Sequence, residues 1–484
     1  MNMRILQYWI LLLLGVVMLP SCEDDDSFST SPNNVLTFST DTVKLDTTFS
    51  TVPTATKTMW VYNRSGDGLR CTSVRLMKGN QTGFRVNVDG YYLGSSEGYQ
   101  VSDVEIRNKD SVRVFVELTA PKNQRPEIVT IDDDLVFTLE SGVQQKVHLR
   151  SWSWDAEKWT NKVISEDTTI DSETPIIIYG GLTVEEGATL TIAAGTTLYF
   201  HNDAGINVNG TLITQGTAEK NVVLRGDRID RMFDYLPYDR VSGQWRGITF
   251  SPTSFDNVIE YTDIHSTYDG VWCESEDATR MKLRLLNSTI HNCQGYGLYA
   301  ANCMLDIQNT QMTNTLNDCA CFIGGSVALL NCTLAQFYPF DSARKAAIRF
   351  SNYKPLNLVC RNSLITGYAD DVLMGSNTDE TQDFNFLFDH CVIRTPEITG
   401  DDGKHFTEVV FENPEDTTHA GQKHFVKVDG NQQDYDFHLS KASLAKDAAD
   451  PTTSTATDHD GVLRDDTPDM GAYECTEQEE TENP

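Results

Sequence analysis

The sequence predicts an all-β chain, an immunoglobulin-like β-sandwich followed by a single-stranded parallel β-helix. Three observations carry this expectation. Residues 35–150 alternate short strand-like runs with turn residues, and from Ile176 onward the runs shorten and end on glycine or asparagine. From Ile264 the chain repeats itself with the period of a solenoid.

In the first segment the runs 58–61, 84–88, 112–118, 135–139 and 146–149 are expected strands, punctuated by Asn63-Arg64-Ser65-Gly66 and Asp132-Asp133-Asp134. Short strands at this spacing pack best as two antiparallel sheets, and a spacer or adaptor role is expected for them.

The repeat is anchored on Ile264, Ile290, Met312, Leu334, Ile365 and Ile393, whose successive separations are 26, 22, 22, 31 and 28 residues. Two positions before each anchor stand Thr262, Ser288, Thr310, Cys332, Ser363 and Cys391, all small enough to stack inside a narrow tube. Three before stand Tyr261, Asn287, Asn309, Asn331, Asn362 and His390, so four consecutive coils place asparagine at one corner. Asparagine tolerates the left-handed backbone a sharp bend requires, and its amide can bond the amide one coil away. Five before stand Ile259, Leu285, Ile307, Leu329, Cys360 and Phe388, which makes the inward face apolar through two strands and the bend between them. Single coils cannot bury such faces, so stacking stabilises them.

The segments GGLTVEEGATLTIAAGTTLYF and Trp245-Arg246-Gly247-Ile248-Thr249-Phe250 resemble opening coils of the pectate-lyase-like right-handed parallel β-helix. The column Asn287, Asn309, Asn331 and Asn362 resembles the asparagine ladder of β-helix proteins. The stretch from Asp436-Phe437-His438-Leu439 to Asp469-Met470-Gly471-Ala472-Tyr473-Glu474 resembles the closing segment of many secreted bacterial β-helix proteins. That resemblance implies a cap over the terminal edge, with Asp458, Asp460, Gly461, Arg464 and Asp469 in a structural loop.

The N-terminus carries Arg4, an apolar stretch 5–19 and Leu19-Pro20-Ser21-Cys22, which resemble the signal peptide and lipobox of bacterial lipoproteins. Cys22 matches the cysteine that is acylated there. Glu23-Asp24-Asp25-Asp26 and the Ser/Thr/Pro/Asn stretch to Asn34 read as a flexible acidic tether, and the acidic run resembles the surface-export signal of Bacteroidetes lipoproteins. The resemblance implies a lipid-anchored outer-membrane protein facing the cell surface. The expected organisation is therefore a signal peptide at 1–21, a tether at 22–34, the sandwich at 35–150, the β-helix with its cap at 151–474 and a disordered acidic tail at 475–484.

Across 484 residues, 70 acidic against 38 basic side chains give a formal charge of −32, which repels nucleic acid and anionic lipid surfaces. A polyanionic ligand would need a local basic strip or bridging divalent cations. Ten of the 11 cysteines follow Cys22. Several recur in register with the repeat, so they are expected as small apolar side chains stacked inside the tube, with disulfides not required.

Candidate chemistry lies on the outward positions. Trp272, Tyr299 and Arg349 are expected to point outward from the third strands Val271-Trp272-Cys273, Leu298-Tyr299-Ala300 and Ile348-Arg349-Phe350, with Val372-Leu373-Met374 following. Aromatic faces beside an arginine suit sugar rings, and the competing expectation is aromatics packed under a crossing loop. His265 and His291 each follow an anchor, with Asp263 two residues before the first. Such a set can do acid–base work or bind a metal, but with no third ligand in phase the simpler expectation is two solvent-exposed histidines. Asp370-Asp371 resembles the paired aspartates of β-helix polygalacturonases but is expected at a turn, and Asp458-His459-Asp460-Gly461 has the look of a structural calcium loop. Outward Arg284, Asp306, Arg361 and Asp389 form no coherent column, so no catalytic set is assigned and no cofactor is required.

Three functions compete. The first is a surface lipoprotein binding or handling glycans along the helix without its own catalysis, with polysaccharide and the outer membrane as partners and nucleic acid excluded. The second is a polysaccharide lyase or glycoside hydrolase of the pectate-lyase-like group, and the third is a structural or adhesive rod.

Overall fold

Alternation at period two turns the first segment into antiparallel strands whose inward side chains meet in one core, including Val61, Val86, Val114, Val116, Leu135, Phe137 and Leu149. The computed structural model describes residues 27–125 and 127–476. The signal segment, Cys22, the acidic run 23–26 and the tail beyond Thr476 lie outside the described residues.

The chain divides into two units. In the first, one sheet orders Leu36–Phe38, Lys57–Asn63, Ser111–Leu118, Phe84–Val88 and Tyr91–Tyr92. The facing sheet orders Thr42–Phe49, Gln144–Trp154, Val129–Leu139, Leu69–Leu76 and Gln100–Val101. Two expectations are corrected here. Asp132-Asp133-Asp134 is not a turn but the middle of the strand Val129–Leu139. Its carboxylates are partnered across the sheet: Asp132 accepts from Arg150 at 2.7 Å, Asp134 from Lys146 at 2.9 Å, and buried Asp133 from the Lys78 amide at 3.0 Å. The tether is also shorter than expected, because Ser29 N–H bonds Gly68 O at 2.8 Å and the Phe28 ring lies 4.2 Å from the Arg70 guanidinium.

The second unit is a right-handed parallel β-helix whose core is a single cluster running from Ile164 to Ile393. Each coil contributes to three parallel faces, here called A, B and C in chain order. Face A stacks Thr197–Phe200, Val222–Gly226, Thr262–His265, Thr289–Cys293, Gln311–Thr315 and Thr333–Gln336, and continues through residues 363–367 and 391–393. Face B includes Ile248–Phe250 and Val271–Glu274 followed by 298–301, 320–323 and 348–351. Face C includes Asn257–Glu260 and Met281–Leu286 followed by 304–308, 325–330 and 356–361.

The register confirms the repeat rung by rung: Ile264 pairs with Ile290, Ile290 with Met312, Met312 with Leu334, Leu334 with Ile365 and Ile365 with Ile393. All the small residues two positions earlier are buried. Their hydroxyls and thiols face the corner carbonyls, as where Ser288 Oγ donates to Leu286 O at 2.7 Å and Thr310 Oγ1 to Gln308 O at 2.9 Å. This explains why Ser, Thr and Cys, and not larger apolar residues, occupy that column: a compact donor satisfies a carbonyl that the bend removes from the ladder. The described cysteines are free, and all except Cys475 are buried.

The corner between faces C and A consists of one left-handed residue per coil: Tyr261, Asn287, Asn309, Asn331, Asn362 and His390, with φ between 41° and 52°. The side chains depart from a simple ladder. Asn309 Nδ2 donates to Asn287 Oδ1 at 3.0 Å, but the coils beyond turn to the C-terminal segment. Thr455 N–H donates to Asn331 Oδ1 at 3.1 Å, and Asp450 N–H to Asn362 Oδ1 at 2.9 Å. The reason is competition: a neighbouring strand of backbone offers amides already aimed at the corner, whereas a second asparagine must orient its own.

The C-terminal segment is therefore a strap laid lengthwise beside the coils, and not a cap confined to the terminal edge. Gly471 N–H bonds Asn362 O at 2.8 Å, and Ala472 N–H bonds Thr333 Oγ1 at 2.9 Å. At Gly471 φ is 105°, and an added Cβ would stand 2.8 Å from Thr333 Oγ1, so glycine is required there. Buried Arg464 donates to Gly471 O and to Asn309 Oδ1 and pairs with Glu474, while Asp458 accepts the amides of Asp460, Val462 and Glu474. The expected calcium loop is thus organised around backbone amides. Cys475, expected at the start of the tail, is still held by its amide on Asp469 Oδ2 at 2.6 Å.

Candidate functional site on face A

Outward positions on face A are i, i+2 residues repeated at every rung, so the sequence writes two outward columns there. One runs Asp263, Thr289, Gln311 and Thr333; the other runs His265, His291, Thr313 and Ala335. The later coils carry apolar residues in these columns, and Ala335, Leu364 and Val392 are covered by Phe425, Phe437, Leu439, Met470 and Ala472 of the strap. In the middle coils these columns stay polar: Thr289 and His291 are half-buried, and Gln311 and Thr313 are buried at the floor of a recess. There the hairpin Phe425–Asp429/Asp434–Leu439 forms a wall, and Arg240, in the insertion 227–247 between faces A and B, also lines the space.

The result is a cleft of about 590 Å³ floored by Thr289, His291, Asn292, Gln311, Thr313 and Asn314 and walled by Lys427, residues 433–438 and Tyr473. Arg240 joins insertion and hairpin by donating to Gln432 O at 3.3 Å and pairing with Asp434 at 2.8 Å. The charges of the wall are paired with one another: Lys427 also pairs with Asp434, and His438 lies between Asp436 at 2.5 Å and Asp460 at 2.7 Å. Hydrogen bonds donated to Asp436 and Asp460 raise the His438 imidazole to a pKa of about 10, against the opposing effect of burial. Tyr473 donates its hydroxyl to Gln311 Oε1 at 2.7 Å. Two buried side-chain carbonyls of lining residues, Asn314 Oδ1 and Gln433 Oε1, have no hydrogen-bond partner.

Beside the cleft lies an ionic chain. Arg225 pairs with Asp239 at 2.6 Å, Asp239 accepts from His265 Nε2 at 2.8 Å, and Asp263 Oδ1 accepts from His265 Nδ1 at 3.0 Å and His291 Nε2 at 3.1 Å. The two imidazoles stack with centroids 4.9 Å apart. His265 is only 4% exposed, which corrects the expectation of a solvent-exposed pair. Burial disfavours its cation, but the charge of Asp263 and hydrogen bonds to Asp239 and Asp263 outweigh it and raise the pKa to about 9. Asp239 is held down at about 2 in spite of burial, chiefly by the hydrogen bond and charge of His265 and the charge of Arg225. Asp263, His265 and His291 are also the residues whose potential ligand atoms lie within 4.8 Å of one another.

On face B the register places Trp272, Tyr299, Cys321, Arg349 and Met374 in one outward column. Arg349 is thus separated from Tyr299 by a rung, and its Nε donates to buried Asp318 at 2.8 Å. In the last of these strands Leu373, not Val372, pairs with inward Ile348, which leaves Met374 outward. Trp272 and Tyr299 stack at 3.9 Å with an 18° angle, and Tyr296 meets Trp272 edge-on at 6.1 Å. Rings one rung apart turn their faces to each other, so each keeps a single face for a ligand. Asp370 and Asp371 are exposed in the loop after face A, as a turn requires. Arg284 pairs with Asp306 at 4.0 Å and Arg361 with Asp389 at 3.2 Å, neighbours across rungs in separate columns.

Sequence reasoning singled out His265, His291, Asp263 and the aromatics, but missed most of the cleft. One signal was present: Ser266, Asn292 and Asn314 stand two residues after successive anchors and are all left-handed, with φ of 62°, 54° and 55°. Asp239, Arg240 and the hairpin carry no such mark, because they reach face A from distant parts of the chain.

No family model matches the chain, and no curated protein matches it. Among solved structures, PapD-like domain 7 of human CEP192 aligns over 27% of this chain and 92% of its own, at 10% identity and a TM-score of 0.17. A family 123 glycoside hydrolase from Clostridium perfringens aligns over 26% of each chain at 9% identity and a TM-score of 0.18. The catalytic domain of a GH87 α-1,3-glucanase, in complex with nigerose, aligns over 72% of this chain and 88% of its own at 12% identity and a TM-score of 0.15. Likeness at this level transfers no activity.

Proposed function

We propose that this chain is an exported, lipid-anchored surface protein that binds a glycan in the face A cleft without catalysis of its own. The carrying observation is a cleft of about 590 Å³ lined by hydroxyl and amide side chains, Thr289, Asn292, Gln311, Thr313, Asn314 and Gln433, whose walls have their charges already paired internally. A lining of hydroxyls and amides favours a ligand rich in hydroxyl groups, and internally neutralised walls favour an uncharged one. The Trp272–Tyr299 stack is a secondary contact for a long chain that continues onto face B.

A glycan array with the purified protein tests this. Neutral oligosaccharides are retained, Thr289→Trp, at a half-buried position of the cleft floor, abolishes retention, and Trp272→Ala with Tyr299→Ala weakens it only for longer chains. Retention unchanged by Thr289→Trp sinks the cleft assignment. A lyase or hydrolase reading has one observation in its favour, the convergence of Asp436, His291, His438 and Tyr473 on the cleft. Release of unsaturated or reducing ends from a polysaccharide panel would establish it. The anchor rests on Arg4, the apolar stretch and Cys22; radiolabelled fatty acid incorporated by the wild type and lost in Cys22→Ala tests it.

A further inference from the structure

We propose that Asp263, His265 and His291 form a binding site for a divalent transition-metal ion of the zinc class, with its open coordination position toward the face A cleft.

The fold supplies the ligand set from a very short piece of sequence. Asp263 and His265 alternate outward on one strand, and His291 sits directly beneath His265 on the next rung. The two ring nitrogens facing Asp263 Oδ1 lie 3.0 and 3.1 Å from it. Two ligand atoms held at about 2.1 Å from one tetrahedral ion are about 3.4 Å apart, so each nitrogen needs to draw back from Asp263 Oδ1 by only a few tenths of an ångström, and the two nitrogens already lie within 4.8 Å of each other. Two imidazoles and a carboxylate suit zinc and its neighbours better than calcium or magnesium, which take oxygen ligands.

A second observation is independent of the ligand set. The other nitrogen of His265, Nε2, bonds Asp239 at 2.8 Å, and Asp239 is itself fixed by Arg225 at 2.6 Å and by its backbone carbonyl, which accepts from Ser266 Oγ at 2.6 Å. A histidine that turns one nitrogen to a metal commonly turns the other to a carboxylate, which fixes ring orientation and tautomer. With only three protein ligands the ion keeps a position for water or a ligand oxygen. His291, which also lines the cleft, leads that position toward it.

The test uses the full chain, stripped with chelator, then loaded with zinc or cobalt and desalted. Wild type is expected to retain one metal per chain by elemental analysis and, with cobalt, to show visible absorption typical of a four- or five-coordinate ion. His291→Ala, which alters a partly exposed side chain and leaves the core intact, loses both signals with an unchanged circular dichroism spectrum. Asp239→Asn, which removes the outer carboxylate, weakens affinity about 10- to 100-fold. Wild type that retains no metal, or His291→Ala that retains as much as wild type, overturns the proposal. Neither result depends on glycan retention, so the cleft assignment stands or falls separately.

Discussion

Asn362 is where the strap meets the coils, and replacing it separates two physical effects. Its side chain is fully buried, its φ is 51°, and its Oδ1 accepts the Asp450 amide at 2.9 Å while Nδ2 donates to Ser454 Oγ at 2.9 Å. Asn362→Ala forces a Cβ-bearing residue without a compensating amide into left-handed backbone, at roughly 1–2 kcal/mol. It also leaves the partly buried Asp450 N–H unpaired, at about 1–3 kcal/mol. The sum, about 2–5 kcal/mol, falls on opening of the strap and not on the whole chain, because a solenoid opens locally. Asn362→Gly incurs only the second cost, since glycine tolerates the left-handed backbone but offers no acceptor. Hydrogen exchange reads the difference directly: at 1.4 kcal/mol per factor of ten, the Asp450 amide exchanges about 30-fold faster or more in the alanine variant. The glycine variant falls between alanine and wild type. Exchange at Asp450 within threefold of wild type in Asn362→Ala, or glycine and alanine variants that behave alike, refutes the reasoning.

Glu412 is completely buried between Arg394 at 3.1 Å and His424 at 2.7 Å, so Glu412→Ala strands the buried Arg394 guanidinium, leaves His424 Nε2 without its partner and is expected to lower stability by about 3–5 kcal/mol, read as a large drop in the thermal midpoint; a shift within error of wild type contradicts it. His438 provides a pH dependence. Its folded pKa of about 10 lies above the unfolded value near 6.5, so the stabilisation it brings to the hairpin is fully present below about pH 6.5 and is lost as pH rises through about 10. Protection of the hairpin amides should fall between those limits and the fall should vanish in His438→Gln; an NMR titration placing His438 near 6.5 would count against it.

How much of this was legible before folding divides along the range of the interactions. The anchors, the small buried column and the left-handed corner follow from the sequence because each is dictated by a local rule: period-two alternation, volume inside a tube, and the backbone tolerance of asparagine. Asp263, His265 and His291 were visible for the same reason, since a residue's place in the repeat decides its place on a face. Their burial was not visible, because Asp239 comes from an insertion whose path the repeat does not specify.

What the sequence by itself determined is therefore the tube, its rungs and which side chains look outward. Only the tertiary structure decided which of those outward residues remain free, since that depends on where the insertion 227–247 and the strap come to rest. Trp272 and Tyr299 were placed correctly as outward, yet their stacking turned their faces inward on each other. The asparagines were placed correctly at the corner, yet the strap took most of their amides. In both cases the repeat set positions, and contacts across long sequence separations set what those positions can do.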